Sequence, residues 1–106
     1  MTKSESDIQS LILIYVTSLP ESFAFRMNTG VSNNDGRFTR YGIPGQPDIF
    51  MIYRGRFIGV EVKTKTGRQS EKQKQWQRNC ERAGGIYILA RSVDDVRDRL
   101  MSEGLL

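Results

Sequence analysis

The sequence predicts an α/β fold, a mixed sheet flanked by helices, with the element order α-β-β-β-α-β-α. Three observations predict it. Apolar residues recur at helical spacing near the N-terminus, two apolar runs flank Arg54-Gly55, and a helix signature at Ser70 precedes a last apolar run at 86–90. Because a helix joins the hairpin's second strand to the last strand, those two strands should be parallel. With 106 residues the chain is expected to form one domain, 1–106.

The first helix is expected to begin after a cap at Ser4 or Ser6 and to end before Pro20. An apolar stripe at helical spacing should face the core: Ile8, Leu11, Ile12, Tyr15 and Leu19.

Two more helices are predicted in the second half of the chain. The pattern Ser70-x-x-Gln73 is a capping box, and the helix it opens should end at Gly84-Gly85. The segment 93–101 should form a short C-terminal helix, with Asp94 and Asp95 favourable at its N-terminus.

The strands are predicted from shorter patterns. Residues 22–27 alternate and indicate a strand, whereas 28–47 is rich in Gly, Asn, Asp and Pro and is expected to be a long loop. The apolar runs 48–53 and 57–63 should form a hairpin, and 86–90 a buried strand.

The hairpin places two acidic residues together. If Arg54-Gly55 is a two-residue turn, Asp48 faces Glu61, with Cβ atoms about 4.5–5.5 Å apart, and Lys63 lies on the same face. Like charges so placed destabilise a sheet, and a divalent cation would offset the repulsion. The register is a hypothesis, since a slip of one residue would send Asp48 to the other face.

Composition restricts the chemistry. The chain has no histidine and one cysteine, Cys80, which excludes an internal disulfide, the usual zinc sites and His-dependent catalysis. The net charge is +4, and residues 54–82 carry nine Lys or Arg against three Glu. This basic segment favours a polyanionic partner, although a charge run alone is more often a solvated face.

Read as a string, Pro47-Asp48 and Glu61-Val62-Lys63 resemble the PD-(D/E)XK nuclease superfamily. Four ordered blocks are similar to the VRR-Nuc family, in particular to its small stand-alone members of phages and bacteria: Phe25 to Gly30, Gly45 to Ile49, Glu61 to Gly67, and Ser70 to Gln73. The resemblance implies a restriction-endonuclease-like αβββαβ core. Gln46 departs from the family, which more often has an apolar residue there, and we expect this to matter little.

The resemblance also implies roles. Asp48 and Glu61, with the backbone carbonyl of Val62, would bind Mg²⁺ or Mn²⁺, and Lys63 would hold and polarise the attacking water. Glu5 matches the first-helix acid that completes the metal site, with Asp7 close enough to be the alternative. Gln73 matches a polar residue that supports Lys63 or the water, and equally matches a cap residue.

Candidate DNA-binding residues are Arg26, Asn28, Lys65, Arg68 and Lys72. The leading hypothesis is a metal-dependent DNA endonuclease. The resemblance to the stand-alone family members implies a symmetric homodimer that acts on branched DNA such as four-way junctions. The alternatives are a non-catalytic nucleic-acid-binding module and a sequence-specific restriction-type nuclease. No membrane association is expected, and the expected location is the cytoplasm of a bacterial or phage-infected cell.

Overall fold

A computed structural model describes residues 3–27, 30–34, 37–41 and 43–106, with the backbone alone for 30–34 and 37–41. The elements in chain order are α1 (Glu5–Ser18), β1 (Ser22–Arg26), β2 (Gly30–Asn34), β3 (Arg37–Tyr41), β4 (Ile49–Tyr53), β5 (Arg56–Val62), α2 (Glu71–Arg82), β6 (Ile86–Ala90) and α3 (Val93–Ser102). Within these ranges, no helix has both the length and the apolar character required to cross a bilayer.

Four strands form one mixed sheet in the order β1-β4-β5-β6. β4 pairs antiparallel with both β1 and β5, and β5 pairs parallel with β6. The predicted parallel pair of β5 and β6 is thus confirmed, and α2 forms the crossover between them. The elements α1, β1, β4, β5, α2 and β6 make up the expected αβββαβ core, and α3 is the expected C-terminal helix.

The segment 28–47 was expected to be a loop throughout, and this was wrong. β2 and β3 form a separate two-stranded antiparallel hairpin, from Gly30 opposite Tyr41 to Asn34 opposite Arg37. Gly and Asn are depleted in strands, so composition indicated a loop. The backbone ladder that forms the hairpin does not require a continuous apolar run.

A capping box opens each of α1 and α2, and only the one at α2 was predicted as a box. Ser4 caps α1, so it is the correct choice over Ser6, and the Ser70–Gln73 box opens α2 as predicted. The Arg54-Gly55 turn is also confirmed, because Tyr53 pairs with Arg56 and Ile52 with Phe57. Both turn residues have positive φ, 51° and 78°, as the hairpin turns that match strand twist require.

One side of the sheet, which we call the core face, packs against α1 and α3. The face is aliphatic and almost completely buried: Ile49, Met51, Ile58, Val60, Val62, Ile86, Ile88 and Ala90. α1 contributes Ile8, Ile12 and Val16. The stripe predicted for α1 included Leu11, which is exposed, and omitted Val16, which is buried.

The opposite side, which we call the site face, carries Phe50, Phe57, Gly59, Glu61 and Tyr87 by alternation along the strands. α2 packs against β6 on this side. Aromatic rings run across the face in contact with one another: Phe23, Phe25, Phe50, Phe57, Trp76 and Tyr87. The half on β1 and β4 is open, since Phe23 is 64% and Ile52 48% exposed.

Candidate active site

Asp48 and Glu61 meet where β4 begins and β5 ends. The ladder runs to Ile49 opposite Val60, so the next step of the same register places Asp48 opposite Glu61. Asp48 is fixed by the neighbouring strand, because the Val62 amide N–H donates to its Oδ2 at 2.8 Å. The structure thus brings together the two carboxylates that the sequence placed side by side.

The chain before Asp48 is held by contacts that the sequence did not suggest. Gln46 is buried, and its Oε1 accepts from the Ile43 N–H at 3.0 Å, while its own N–H donates to the Ile43 carbonyl. Gln46, the residue at which the sequence departs from the family pattern, therefore closes the turn that leads into Pro47-Asp48. Pro47 lies over Gly59, where an added Cβ would stand 2.8 Å from Pro47 Cγ and 3.3 Å from Trp76 Cζ3. A glycine at 59 lets this turn approach the sheet closely.

Glu61 is the buried acid of the site, with a side chain only 3% exposed. Its pKa is raised to about 8, chiefly by burial and then by the charge of Asp48 and a hydrogen bond to Asp48, while the charge of Lys63 lowers it. Among the residues that the structure describes, Glu61 Oε1 has no hydrogen-bond partner. The metal-free protein therefore favours a protonated Glu61 that shares its proton with Asp48.

Lys63 follows β5 on the same side as Glu61. Its ammonium lies 3.9 Å from Glu61 Oε2, and its side chain is 13% exposed. The Lys63 N–H donates to the Ala90 carbonyl at 3.0 Å, so the backbone remains tied to β6 beyond the last strand residue. Two carboxylates and one ammonium converge at this end of the sheet, in the arrangement expected from the sequence.

The first helix places Glu5, rather than Asp7, toward this group. The charge of Glu5 is among the influences that raise the pKa of Glu61. Asp7 instead completes the capping box: its Oδ2 accepts from the Ser4 N–H at 3.2 Å, and its N–H donates to Ser4 Oγ. Of the two alternatives, Glu5 is the one whose charge acts on the site.

Gln73 is the third residue of α2 and completes the capping box with Ser70, the N-cap. Its Oε1 accepts from the Ser70 N–H at 2.8 Å, and its own N–H donates to Ser70 Oγ. A support role for Lys63 remains a prediction. A different glutamine, Gln69, donates to Gln77 Oε1 at 2.9 Å and to the Tyr87 hydroxyl at 3.2 Å.

Tyr87 lies on the same face as the acidic pair, near enough for both charges to act on its hydroxyl, and was absent from the sequence-based candidates. Its pKa is raised to about 12, chiefly by burial, with the charges of Glu61 and Asp48 adding to the shift and the Gln69 hydrogen bond opposing it. The pairing of Tyr87 with Gly59 in the β5–β6 ladder places the tyrosine near the acids, and that pairing joins residues distant in sequence. The local sequence indicated no more than a buried strand.

The predicted DNA-binding residues lie in different places. Lys65, Arg68 and Lys72 are exposed on the stretch that follows Lys63 and opens α2, and none of them forms an ion pair with a residue that the structure describes. Arg26, at the end of β1, donates to Ser10 Oγ at 2.8 Å. Asn28 lies outside the described residues.

The donor set fits a hard divalent cation. Mg²⁺ is usually bound through one or two carboxylates together with waters and substrate phosphates, and it prefers oxygen ligands. Asp48 and Glu61 supply two carboxylates, and Glu61 Oε1 is a buried oxygen in need of a partner. Over 3–27 and 43–106, no three His, Cys, Asp or Glu side chains group as a metal site. Metal binding by Glu5 stays a prediction.

Comparison with known proteins bears on the fold. No protein-family model matches the chain, and no curated protein matches it either. A solved structure of a VRR_NUC domain is similar, with a TM-score of 0.65 and 21% identity over 92% of this chain and 94% of that domain. The fold implied by the four sequence blocks is confirmed, and the chain has the fold of a VRR_NUC domain.

Proposed function

We propose that the chain is a metal-dependent DNA endonuclease, with Asp48, Glu61 and Lys63 as its active site. The observation that carries the proposal is Glu61, a buried carboxyl group with an unpartnered oxygen beside a second carboxylate. Burying such a group is costly, and strongly shifted carboxyl groups concentrate at functional sites. The ion pair between Glu61 and Lys63 adds an ammonium to the two carboxylates, and these three groups suit a phosphodiester hydrolase.

Each residue of the site has a distinct role in this proposal. Asp48 and Glu61, with the carbonyl of Val62, would hold Mg²⁺ or Mn²⁺. The bound cation would stabilise charge on the phosphoryl oxygens and favour ionisation of water. Lys63 holds and polarises the attacking water, which adds directly to phosphorus as one P–O ester bond breaks, without a covalent enzyme intermediate. The Val62 N–H keeps Asp48 in place throughout.

Lys65, Arg68 and Lys72 are proposed to bind the phosphate backbone on the approach to the site. They are exposed, cationic and close in sequence to Lys63, and their charges are not neutralised by any described neighbour. Contacts of this kind make binding depend strongly on salt, because cations condensed on the DNA are released.

A purely DNA-binding module is the main competing function. It would use the same basic residues, and it would bind DNA with a steep salt dependence but without cleavage. Glu61 counts against it, because a module that only binds phosphates gains nothing from two acids beside its basic surface. We therefore favour the endonuclease.

Cleavage of a panel of DNA substrates tests the function. The panel contains a four-way junction, a flap and a linear duplex, each with Mg²⁺, with Mn²⁺ and with chelator. We expect metal-dependent cuts that Asp48→Asn abolishes. The matched control is Asp98→Asn, an exposed acid on α3 that pairs with Arg97. A folded parent that leaves every substrate intact, or an Asp48→Asn variant that cuts at the parent's rate, would overturn the proposal.

The finer proposal is a symmetric homodimer that acts on branched DNA. The open half of the site face supports a dimer, because exposed apolar patches mark interaction surfaces. Two-fold symmetry would give the dimer two active sites, one for each of two symmetric nicks in a junction. Preference for the junction over the duplex, together with a dimer mass in sedimentation, is the expected result. Sequence-dependent cutting of the linear duplex would instead favour the restriction-type alternative.

A further inference from the structure

Arg91, at the junction of β6 and α3, binds one short turn through several backbone carbonyls. Its Nη1 donates to the carbonyls of Thr64, Lys65 and Gly67, at 3.3 Å for Lys65 and 2.8 Å for Gly67. The Arg91 N–H donates to Asp95 Oδ2 at 2.8 Å, so the first turn of α3 fixes the base of the side chain. The guanidinium thus links α3 to residues 64–67, which we call the 64–67 turn.

The 64–67 turn rests on the side chain of Lys63. The Gly67 N–H donates to the Thr64 carbonyl at 3.2 Å and closes the turn. A Cβ added at Gly67 would lie 3.4 Å from Lys63 Cδ and 3.3 Å from Thr64 Oγ1. The chain therefore folds back over the alkyl stem of Lys63, whose ammonium lies beside Glu61.

We propose that Arg91 is a positioning residue, which holds the 64–67 turn against Lys63 and so keeps the ammonium at the acidic pair. The consequence for cleavage rests on the proposed function, whereas the effect on the turn and on Lys63 does not. All three contacts come from one terminal nitrogen, Nη1, and arginine suits this role because its side chain is long enough to place that nitrogen among the three carbonyls. From sequence alone, Arg91 is one more surface charge before a helix cap.

Arg91→Lys keeps the charge but has a side chain one atom shorter, so its nitrogen falls short of the Nη1 position. Arg97→Lys changes an exposed arginine on α3 and is the matched control. In metal-free protein, we expect the Gly67 amide to exchange about tenfold faster in Arg91→Lys, since one or two hydrogen bonds are lost. The NMR resonances of the Lys63 side-chain terminus should shift as well. Arg97→Lys should show neither change. If the Gly67 exchange and the Lys63 resonances both match the parent, the proposal is wrong.

Cleavage gives the second measurement. With metal and a cleaved substrate, Arg91→Lys should lower kcat about 10–100-fold, the usual cost of losing a residue that orients a catalytic group. KM should change far less, and Arg97→Lys should match the parent in both constants. A kcat equal to the parent's in a variant whose turn is loosened would refute the link to Lys63. A parent that cuts no DNA defeats the proposed function, and the metal-free comparison still decides the role of Arg91.

Gly67→Ala tests the same contact without touching Arg91. Gly67 is not among the described residues with positive φ, so alanine fits the backbone, and its Cβ would press on Lys63 and Thr64. The expected result is a shifted Lys63 resonance and a lower kcat with a nearly unchanged melting temperature. Should Arg91→Lys fail to fold, unchanged Lys63 resonances in Gly67→Ala would by themselves refute the proposal.

Discussion

The core face and the site face of the four-stranded sheet differ in what they bury. The core face lies under two helices and holds aliphatic side chains at close to zero exposure. The site face lies under α2 at one side only, and it buries a carboxyl group and a phenol among aromatic rings. The core face therefore contributes most to the stability of the fold, whereas the site face holds polar groups that are costly to bury and that can take part in a reaction.

The largest expected effect is on the core face. Ile12→Ala removes a fully buried side chain of α1 and should lower the free energy of unfolding by about 2–5 kcal/mol. Denaturant titration measures this. The matched control, Ile14→Ala, changes an exposed position of the same helix and should cost less than about 0.5 kcal/mol. If the faces are independent, kcat per folded molecule stays at the parent's value, whereas a parallel loss of kcat would show that the two faces are coupled.

Lys63→Ala should show the opposite pattern. Removal of a donor beside the reacting phosphate typically lowers kcat about 10²–10³-fold, or about 2.7–4 kcal/mol. Stability should change little. Lys74→Ala, on the exposed side of α2, is the control and should retain parental kcat. A Lys63→Ala variant that cleaves as fast as its control would remove Lys63 from the active site.

The metal-free protein should lose stability as pH rises, because of Glu61. Its pKa increases from 4.5 to about 8 on folding, so the folded state binds the proton more tightly. The resulting stability, on the order of a few kcal/mol, is fully present below pH 4.5 and is lost as pH rises to about 8. Glu61→Gln should remove this dependence and exceed the parent in stability at pH 9.

Urea titrations in chelator at pH 5, 6.5, 8 and 9 measure the effect. Glu21→Gln, an exposed acid that pairs with Arg54, is the control and should follow the parent's profile. A parent whose stability is flat over this range, or one that matches Glu61→Gln at every pH, would show that Glu61 is not held as a neutral acid.

Gly59→Ala should act on both stability and activity. Its Cβ would meet Pro47 Cγ at 2.8 Å, and such crowding costs about 1–3 kcal/mol. Since Pro47 precedes Asp48, kcat should fall as well. Gly85→Ala is the matched control, because its Cβ would crowd Cys80 Sγ at 2.7 Å, away from the acids. Equal loss of stability with kcat reduced only in Gly59→Ala is expected, and parental kcat in both would disprove the link.

The parts of the fold that depend on neighbouring residues were predictable. One capping box predicted the start of α2, a choice of two serines predicted the start of α1, and one two-residue turn predicted the hairpin register, from which the Asp48–Glu61 pair followed by counting. These features are set by residues three or four apart, so local sequence patterns are enough to predict them.

The missed features depend on contacts between distant segments. Arg91 lies 27 residues after Thr64, and Tyr87 reaches the site through its pairing with Gly59. The β2–β3 hairpin was missed for another reason, since its polar composition matches that of a loop. Local patterns identify the acids and the lysine, but only the assembled sheet shows which groups support them.

The smallest effect on folding is expected at Phe23, on the open half of the site face. Phe23→Ser alters a side chain that is 64% exposed and should change the free energy of unfolding of the monomer by about 0.5 kcal/mol or less. If this half is the proposed dimer surface, the variant should sediment as a monomer at concentrations where the parent is a dimer. Ser102→Ala, on the far side of the molecule at the end of α3, is the control and should leave the mass unchanged. A dimer that survives Phe23→Ser would place the interface elsewhere, and the open aromatic surface would then require a different partner.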